Sequence, residues 1–281
     1  VIPHLELPKD GADVVIIATP DGHRELAERA LEHGAHVVSV GDDVDEVVRL
    51  LDLDDEARER GCSVVVGAGF APGLSCLLAR HAGADLTRVD EIHVARTGTG
   101  GPACARQHHR ALAGEAADWR GAAAVRRRAG AGRELCWFPD PVGALDCYSA
   151  ALPDPWLLRP AFPDVDRITA RLSASRRDRI SSRLPMLRRP HAEGVLGALR
   201  VEVRGRRGDA ADARILGAID RPAMAAGAVA AVAALWAVER RFRRVGAGGL
   251  AELVAEPVPF LQALAERGVR AAVFEGAAAS A

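Results

Sequence analysis

The chain of 281 residues has one lysine, Lys9, and one tyrosine, against 37 basic and 38 acidic residues in all. Arginine therefore carries nearly all the positive charge, and a Schiff-base lysine elsewhere in the chain is excluded. A net charge of -1 and so little tyrosine do not describe a nucleic-acid groove. The arginine clusters at Arg126 to Arg128, Arg176 to Arg189 and Arg240 to Arg244 are accordingly read as solvated helix faces. None of the five cysteines stands in a CxxC spacing, and their odd number suits a reducing cytosol, so a cytoplasmic protein is expected. No signal-peptide pattern opens the sequence, because Lys9, Asp10 and Asp13 surround the first apolar segment. The longest apolar run, Pro222 to Val238, is mostly alanine and near the short limit of a membrane span, so it is read as a buried helix. With neither a nucleic-acid nor a membrane partner expected, small molecules remain. No G-x-G-x-x-G phosphate loop accompanies any strand.

What is present is a globular composition, 49% hydrophobic and 27% charged, in a length that suits one large domain or two ordinary ones. VVIIA (14–18), HVVSV (36–40) and SVVVG (63–67) are uninterrupted apolar runs of strand length, the kind that helices cover on both faces. Helical patterns follow each. Leu26, Ala27, Ala30 and Leu31 come after the first, with Thr19 expected as cap, Pro20 at the first helical position and Gly34 as the stop. Val44, Val47, Val48 and Leu51 come after the second, with a short helix near 53–60, and Leu74, Leu77 and Leu78 after the third. Repeated βαβ units wind into a doubly wound parallel sheet, giving an α/β fold class.

Beyond residue 85 the pattern changes. RITARLSA (167–174) and LRVEVRGR (199–206) alternate strictly between apolar and polar. With VDEIHVART (89–97), RELCWF (133–138), LDCYSA (145–150) and ARILGAID (213–220), they predict a second, α+β domain on a mostly antiparallel sheet of five or six strands. The last third is read as helical, with an apolar helix over 222–243 between the domains and an amphipathic one over 257–267. The expected division is 1–85, 86–220 and 221–281.

Open parallel sheets bind ligands at the carboxyl ends of their strands. Those ends read ATPDG (18–22), VGDD (40–43) and GAGFAPG (67–73), all on one crevice edge. Gly67, Gly69 and Gly73 permit positive φ and close approach of a ligand, and Pro72 stiffens the turn. The same residues also make a tight strand-to-helix connection with nothing bound, and G-x-G spacing alone does not choose between the two. Just past the crossing into the second domain, RTGTGGPACARQHHR (96–110) gathers Arg96, Cys104, Arg106, His108 and His109. Arg96 and Arg106 are candidate carboxylate binders. His108 and His109 are candidate proton carriers, of which at most one can face a site, the reading as surface residues standing beside it. No metal is expected, because no spaced cysteine or carboxylate partner accompanies them. His23 is read as a structural residue of the first helical turn.

VVIIATPDGHRELAERALEHGAHVVSVGDD followed by LDDEARERGCSVVVGAGFAPGLSCLLAR resembles the second half of the nucleotide-binding domain of saccharopine dehydrogenase-like proteins. The G-x-G-F-x-P-G-L turn and the preceding E-A-R-x-x-G-C-x-V-V-x-G carry the likeness, which is strongest over about 12–82 and continues more weakly through RTGTGG, WFPDPVG and GAIDRPAMAAG. The resemblance implies a Rossmann-type sheet lacking its first strands, with a second α+β domain for substrate binding and dimerisation. It also implies NADP or NAD as cofactor, a reaction at a carbon–nitrogen bond of an amino-acid-type substrate, and a homodimer. In that family the G-x-G-x-x-G loop precedes a stretch like VVIIATP, so a sequence opening on Val1 is expected to be a fragment of a longer one. On the same resemblance Ala18, Thr19, Pro20, Ser39, Gly41, Asp42, Gly69 and Phe70 would contact the cofactor, while Pro72 and Gly73 would border the substrate. Two further readings stay open: a Gfo/Idh/MocA-type dehydrogenase, and a non-catalytic dimerising or ligand-binding scaffold.

Overall fold

Valine-rich runs form the strands expected of them. The computed structural model describes residues 11–186 and 189–274; Lys9 and Arg188 lie outside the described residues. The chain runs through β1 (Val14–Ile17), α1 (His23–Glu32), β2 (His36–Ser39), α2 (Val44–Leu51), α3 (Asp54–Glu59), β3 (Ser63–Val66) and α4 (Leu74–Gly83). The three strands pair in parallel, Val15 opposite Val37 and Val38 opposite Val65. Val64, Val65 and Val66 are wholly buried, as a strand covered on both faces requires. Among the described residues β1 is one edge of this sheet, β12 the other, and Ile16 of β1 is 46% exposed.

The start of α1 corrects the sequence reading. Its cap is Gly22, in the left-handed region at φ 74, rather than Thr19. The Thr19 hydroxyl is taken up within its own turn, donating to the Asp21 carbonyl at 2.9 Å, so the loop after β1 runs longer. α2 is capped by Asp43, whose carboxylate accepts the backbone N–H groups of Asp45 and Glu46.

The second sheet begins with β4 (Arg88–Thr99), followed by α5 (Pro102–Ala111), β5 (Glu115–Arg120), β6 (Ala123–Arg128), β7 (Glu134–Trp137), β8 (Ala144–Ser149) and α6 (Asp154–Leu158). It continues with β9 (Arg167–Ser173), α7 (Arg176–Ser181), β10 (Val195–Arg207) and β11 (Ala210–Asp220). The chain then makes α8 (Pro222–Val238), β12 (Gly246–Gly249), α9 (Leu250–Leu253), α10 (Pro257–Ala265) and β13 (Ala271–Phe274). Among the described residues nine strands make this sheet, in the order β13-β11-β10-β4-β9-β5-β6 with the β7–β8 hairpin also joined to β9. Only β4 and β9 pair in parallel. Leu199, Val201 and Val203 point into the core, while Arg200 and Arg204 on the other face both pair with Glu202 at 2.6 Å.

Three readings change here. The sheet is larger than five or six strands, because EAADWR and AAVRRR pair as β5 and β6 without an apolar pattern to announce them. Arg126 to Arg128 therefore lie on a strand, not a helix, and Arg127 pairs with the buried Asp118 at 2.6 Å. The last third is not wholly helical: α8 ends at Val238, and the chain returns to lay β12 beside β3 and β13 beside β11. Arg244, just before β12, bonds Asp54 at 2.8 Å and Glu252 at 2.6 Å, clamping the returning chain against α3.

One apolar core runs through both sheets, from Val65 and Leu77 to Leu199, Trp236 and Phe260. α8 packs on β1 and β2 on one side and on β4 and β10 on the other, which explains a helix apolar nearly all round. α4 likewise reaches β10 and β11, and burial of each of its leucines contributes about 1.5–3 kcal/mol. No helix among the described residues is long and apolar enough to cross a membrane.

Candidate functional site

The carboxyl ends of the parallel strands meet α5 and α8 around one cleft of ≈ 860 Å³, within the range of about 300–1,000 Å³ usual for ligand sites. Its first wall is made largely of backbone and small side chains, with Phe70 and the acidic Asp21 and Asp42 among them. The loop after β1 supplies Ala18, Thr19 and Pro20; that after β2, Val40 and Gly41; that after β3, Gly69, Phe70 and Ala71. His23 ties the first two together. Its Nε2 lies 2.8 Å from the Thr19 carbonyl and its Nδ1 2.8 Å from the Ser39 hydroxyl. A carbonyl only accepts, so in the neutral ring Nε2 donates and Nδ1 accepts from Ser39. Gly41 rests on this ring, where an added Cβ would stand 3.1 Å from Cε1.

The turn after β3 is closed by the Gly69 N–H donating to the Pro72 carbonyl and the Leu74 N–H donating to Gly69, both at 2.9 Å. Gly73 has φ 121, and a Cβ there would lie 2.2 Å from the Gly69 carbonyl oxygen. Only glycine fits.

The opposite wall, from β4 and α5, is charged. Arg96 is 2% exposed; its Nη2 donates to Asp42 Oδ2 at 3.2 Å, while Nε and Nη1 are buried without a partner. His108 Nε2 lies 3.4 Å from the same Asp42 oxygen and 3.6 Å from Cys104 Sγ, one helical turn earlier. Gln107 donates to Asp43 at 2.8 Å and accepts from Arg110 at 2.6 Å, docking α5 on the cap of α2.

Electrostatics make this a set of charged partners. Burial alone would raise the Asp42 carboxyl, but the His108 hydrogen bond and the Arg96 and His108 charges hold it below its ordinary value. Burial would lower His108, yet Cys104, followed by the Asp42 hydrogen bond, carries it up to about 9 against the opposing charge of Arg96. Burial raises the Cys104 thiol, and the His108 charge and hydrogen bond more than reverse this, leaving it below the ordinary thiol value. The four groups shift one another toward their charged forms: the His108 imidazolium and the Asp42 carboxylate are favoured, and the Cys104 thiol is drawn toward thiolate. Buried polar groups nearly always find partners, and the two unpartnered Arg96 nitrogens have the chemistry to meet an anion such as a carboxylate. Asp42, Cys104 and His108 also bring potential metal-ligand atoms within 4.8 Å of one another, a grouping the sequence spacing did not show. The Arg96 charge on the same Asp42 oxygen works against a cation there.

Most of the expected cofactor residues line this cleft: Ala18, Thr19, Pro20, Gly41, Asp42, Gly69 and Phe70. So do Arg96, Arg106 and His108. Ser39 is absent from the lining and acts through His23. Pro72 and Gly73 shape the turn from behind. His109, about 100° round the helix from His108, lies outside the cleft and pairs with the Leu184 carbonyl at 2.9 Å. The reading of His23 as structural missed that its ring fixes two of the three rim loops. Cys104 was noted without a role; its i, i+4 spacing to His108 was the available signal.

No protein-family model and no curated protein matches the chain in sequence. Solved structures match its fold. The apo form of saccharopine dehydrogenase (L-Glu forming) from Saccharomyces cerevisiae superposes with a TM-score of 0.67 at 14% identity, covering 94% of this chain and 85% of that one. The fold is similar to that of saccharopine dehydrogenase. DAP dehydrogenase from C. glutamicum, in complex with DAP, matches at TM-score 0.46 and 14% identity over 90% of this chain and 82% of that one. Amine dehydrogenase from Mycobacterium smegmatis matches at 0.44 and 12% over 87% and 78%. At such identities the likeness to saccharopine dehydrogenase is one of architecture, a parallel sheet joined to a mostly antiparallel one.

Proposed function

We propose that the protein is an NAD(P)-dependent oxidoreductase of the saccharopine dehydrogenase-like group, acting at a carbon–nitrogen bond of an amino-acid-type substrate. The observation that carries this is Arg96, a buried guanidinium with two unpartnered nitrogens, on the wall of a cleft that also holds proton-carrying groups and faces a backbone-lined rim. The rim suits the flat nicotinamide and ribose end of NADP or NAD. Gly41 and Gly69 present bare backbone there, and a Cβ at Gly69 would stand 3.1 Å from the Pro72 carbonyl oxygen. The described residues include no glycine turn of the G-x-G-x-x-G kind for the pyrophosphate.

A bound nicotinamide dinucleotide supplies or accepts the hydride. Everything else falls to the chain. Arg96, with Arg106 at the mouth, holds the substrate carboxylate, and fixing the reacting centre in this way is worth about 7–11 kcal/mol when complete. His108, raised to about 9, holds a proton on Nε2 that it can give to the substrate nitrogen, serving as acid in one direction of the reaction and as base in the other. Asp42 keeps the imidazole in place, and Cys104 balances its charge.

Titration of NADPH and NADH, followed by nucleotide fluorescence, tests the reading. Saturable binding is expected; Arg96→Met should keep it while abolishing further stabilisation by L-amino acids. Binding of neither nucleotide would overturn the dehydrogenase reading in favour of the ligand-binding scaffold. The expected homodimer belongs to the same proposal and is checked by sedimentation. β7 offers an apolar edge for it, Leu135 and Trp137 being 57% and 62% exposed.

A further inference from the structure

Cys62, Cys76, Cys136 and Cys147 are buried, whereas Cys104 opens on the cleft and is the one cysteine among the described residues that lines it. Four groups face its sulfur or the partner of its sulfur. His108 Nε2 lies 3.6 Å away on the same helix, Asp42 comes from the turn after β2, Arg96 from β4, and the backbone at Gly100 from the turn before α5. Cys104 also stands in the first turn of the ten-residue α5, where free N–H groups favour negative charge. The unpartnered Arg96 nitrogens independently mark this end of the cleft as a place where a polar molecule is received. By contrast, burial and the Asp154 charge push the Cys76 thiol up to about 12, where it is inert.

We propose that Cys104 is a peroxide-reactive thiolate, and that its oxidation to sulfenic acid reversibly closes the cleft. The sulfur attacks one oxygen of hydrogen peroxide, the O–O bond breaks, and the departing hydroxide takes the Nε2 proton of His108 and leaves as water. Sulfur is oxidised by two electrons and peroxide reduced by two. No second cysteine lines the cleft to form a disulfide with it. A small thiol therefore restores it, first displacing water to give a mixed disulfide, after which a second thiol releases Cys104. The oxidation stands on the Cys104–His108 geometry alone; closure toward nucleotide rests on the function proposed above.

The test treats the protein with hydrogen peroxide and a cyclic 1,3-diketone that traps sulfenic acids, and maps the adduct by peptide mass. One adduct at Cys104 is expected, with a rate about tenfold lower in His108→Gln, because an ordinary thiol is only a few per cent thiolate at pH 7 although each thiolate is then more nucleophilic. His33→Gln, on the exposed end of α1, should react as the wild type does. Iodoacetamide labelling of the wild type gives a second reading free of any folding defect in the variant: its rate should fall clearly less between pH 8 and pH 6 than the roughly hundredfold drop of a free thiol. A free-thiol pH profile, an unchanged rate in His108→Gln, or a mass loss of two hydrogens from the buried Cys136 and Cys147 instead of the adduct would each overturn the proposal. NADPH titration of the oxidised protein then separates the two claims. An adduct that leaves nucleotide binding intact overturns closure while sparing the thiolate, and failure of nucleotide to bind even the reduced protein counts against the dehydrogenase reading alone.

Discussion

The two walls of the cleft face each other with opposite chemistry. The rim at the ends of β1, β2 and β3 is mostly backbone, alanine, glycine and proline, with its one histidine held by hydrogen bonds to Thr19 and Ser39 and Asp42 projecting from the end of β2. The β4–α5 wall concentrates an arginine, a histidine and a cysteine on one carboxylate from across the cleft. The first wall offers mainly shape and one carboxylate, Asp42; the second holds the cationic and proton-carrying groups that meet it. A ligand with a flat, weakly polar end and an anionic, ionisable end would use both.

Shape should be the less forgiving of the two. In Gly73→Ala the new methyl would lie 2.2 Å from one backbone oxygen and 2.5 Å from one backbone nitrogen of Gly69, at a φ of 121. Neither atom can yield without opening the turn, and a loss of about 4 kcal/mol is expected in chemical denaturation. Gly34→Ala is the matched control, having a similarly positive φ of 73 and nothing within 4 Å, and should cost about 1 kcal/mol. Equal losses in the two would mean that strain alone, rather than the close-packed turn, makes the rim rigid.

The charged wall is tested by Asp42→Asn. The substitution leaves an oxygen that can accept from Arg96 but removes the negative charge that pairs with the buried guanidinium. Breaking a buried pair in this way costs about 3 kcal/mol, the low end of the usual range because the Asp42 side chain is 21% exposed. The His108 value should fall from about 9, since Asp42 helps to raise it, and histidine resonances followed by NMR against pH would show this. An unmoved His108 would mean that Cys104 alone holds its proton.

The two walls also differ in how much of them the amino-acid sequence announces. Strand-length valine runs and the rule that ligands bind at strand ends located the whole rim, including GAGFAPG, because each rim residue lies next to the strand that positions it. The charged wall is built from distant parts: Arg96 and Asp42 are 54 residues apart, and no local pattern states that they meet. The strand β12 was invisible for another reason. GAGG has no side chains to alternate, yet glycine is required, since a Cβ at Gly246 would stand 2.3 Å from Asp54 Oδ1 and one at Gly249 3.0 Å from Leu157. Periodicity reports side chains, and this strand is selected for their absence.

Behind the charged wall lies a second carboxylate, which gives the smallest expected effect and the clearest sign. Asp154, at the start of α6, is fully buried and accepts from the Ser75 hydroxyl at 2.6 Å, while its Oδ2 has no partner. Burial raises its carboxyl above the ordinary value, and the charge of Arg96 with the Ser75 hydrogen bond does not offset this. A raised carboxyl means that the folded state holds the proton more tightly than the unfolded one. Stability therefore falls as pH rises from about 3.9 through the raised value, and the penalty is constant above it. Asp154→Asn keeps the acceptor for Ser75 and removes the charge, so a gain of about 1 kcal/mol is expected at pH 7, shrinking to nothing near pH 4. Urea unfolding at both values measures it. Destabilisation at pH 7 would instead show that Arg96 depends on this hidden negative charge, and that the guanidinium is less free to receive a ligand than its two open nitrogens indicate.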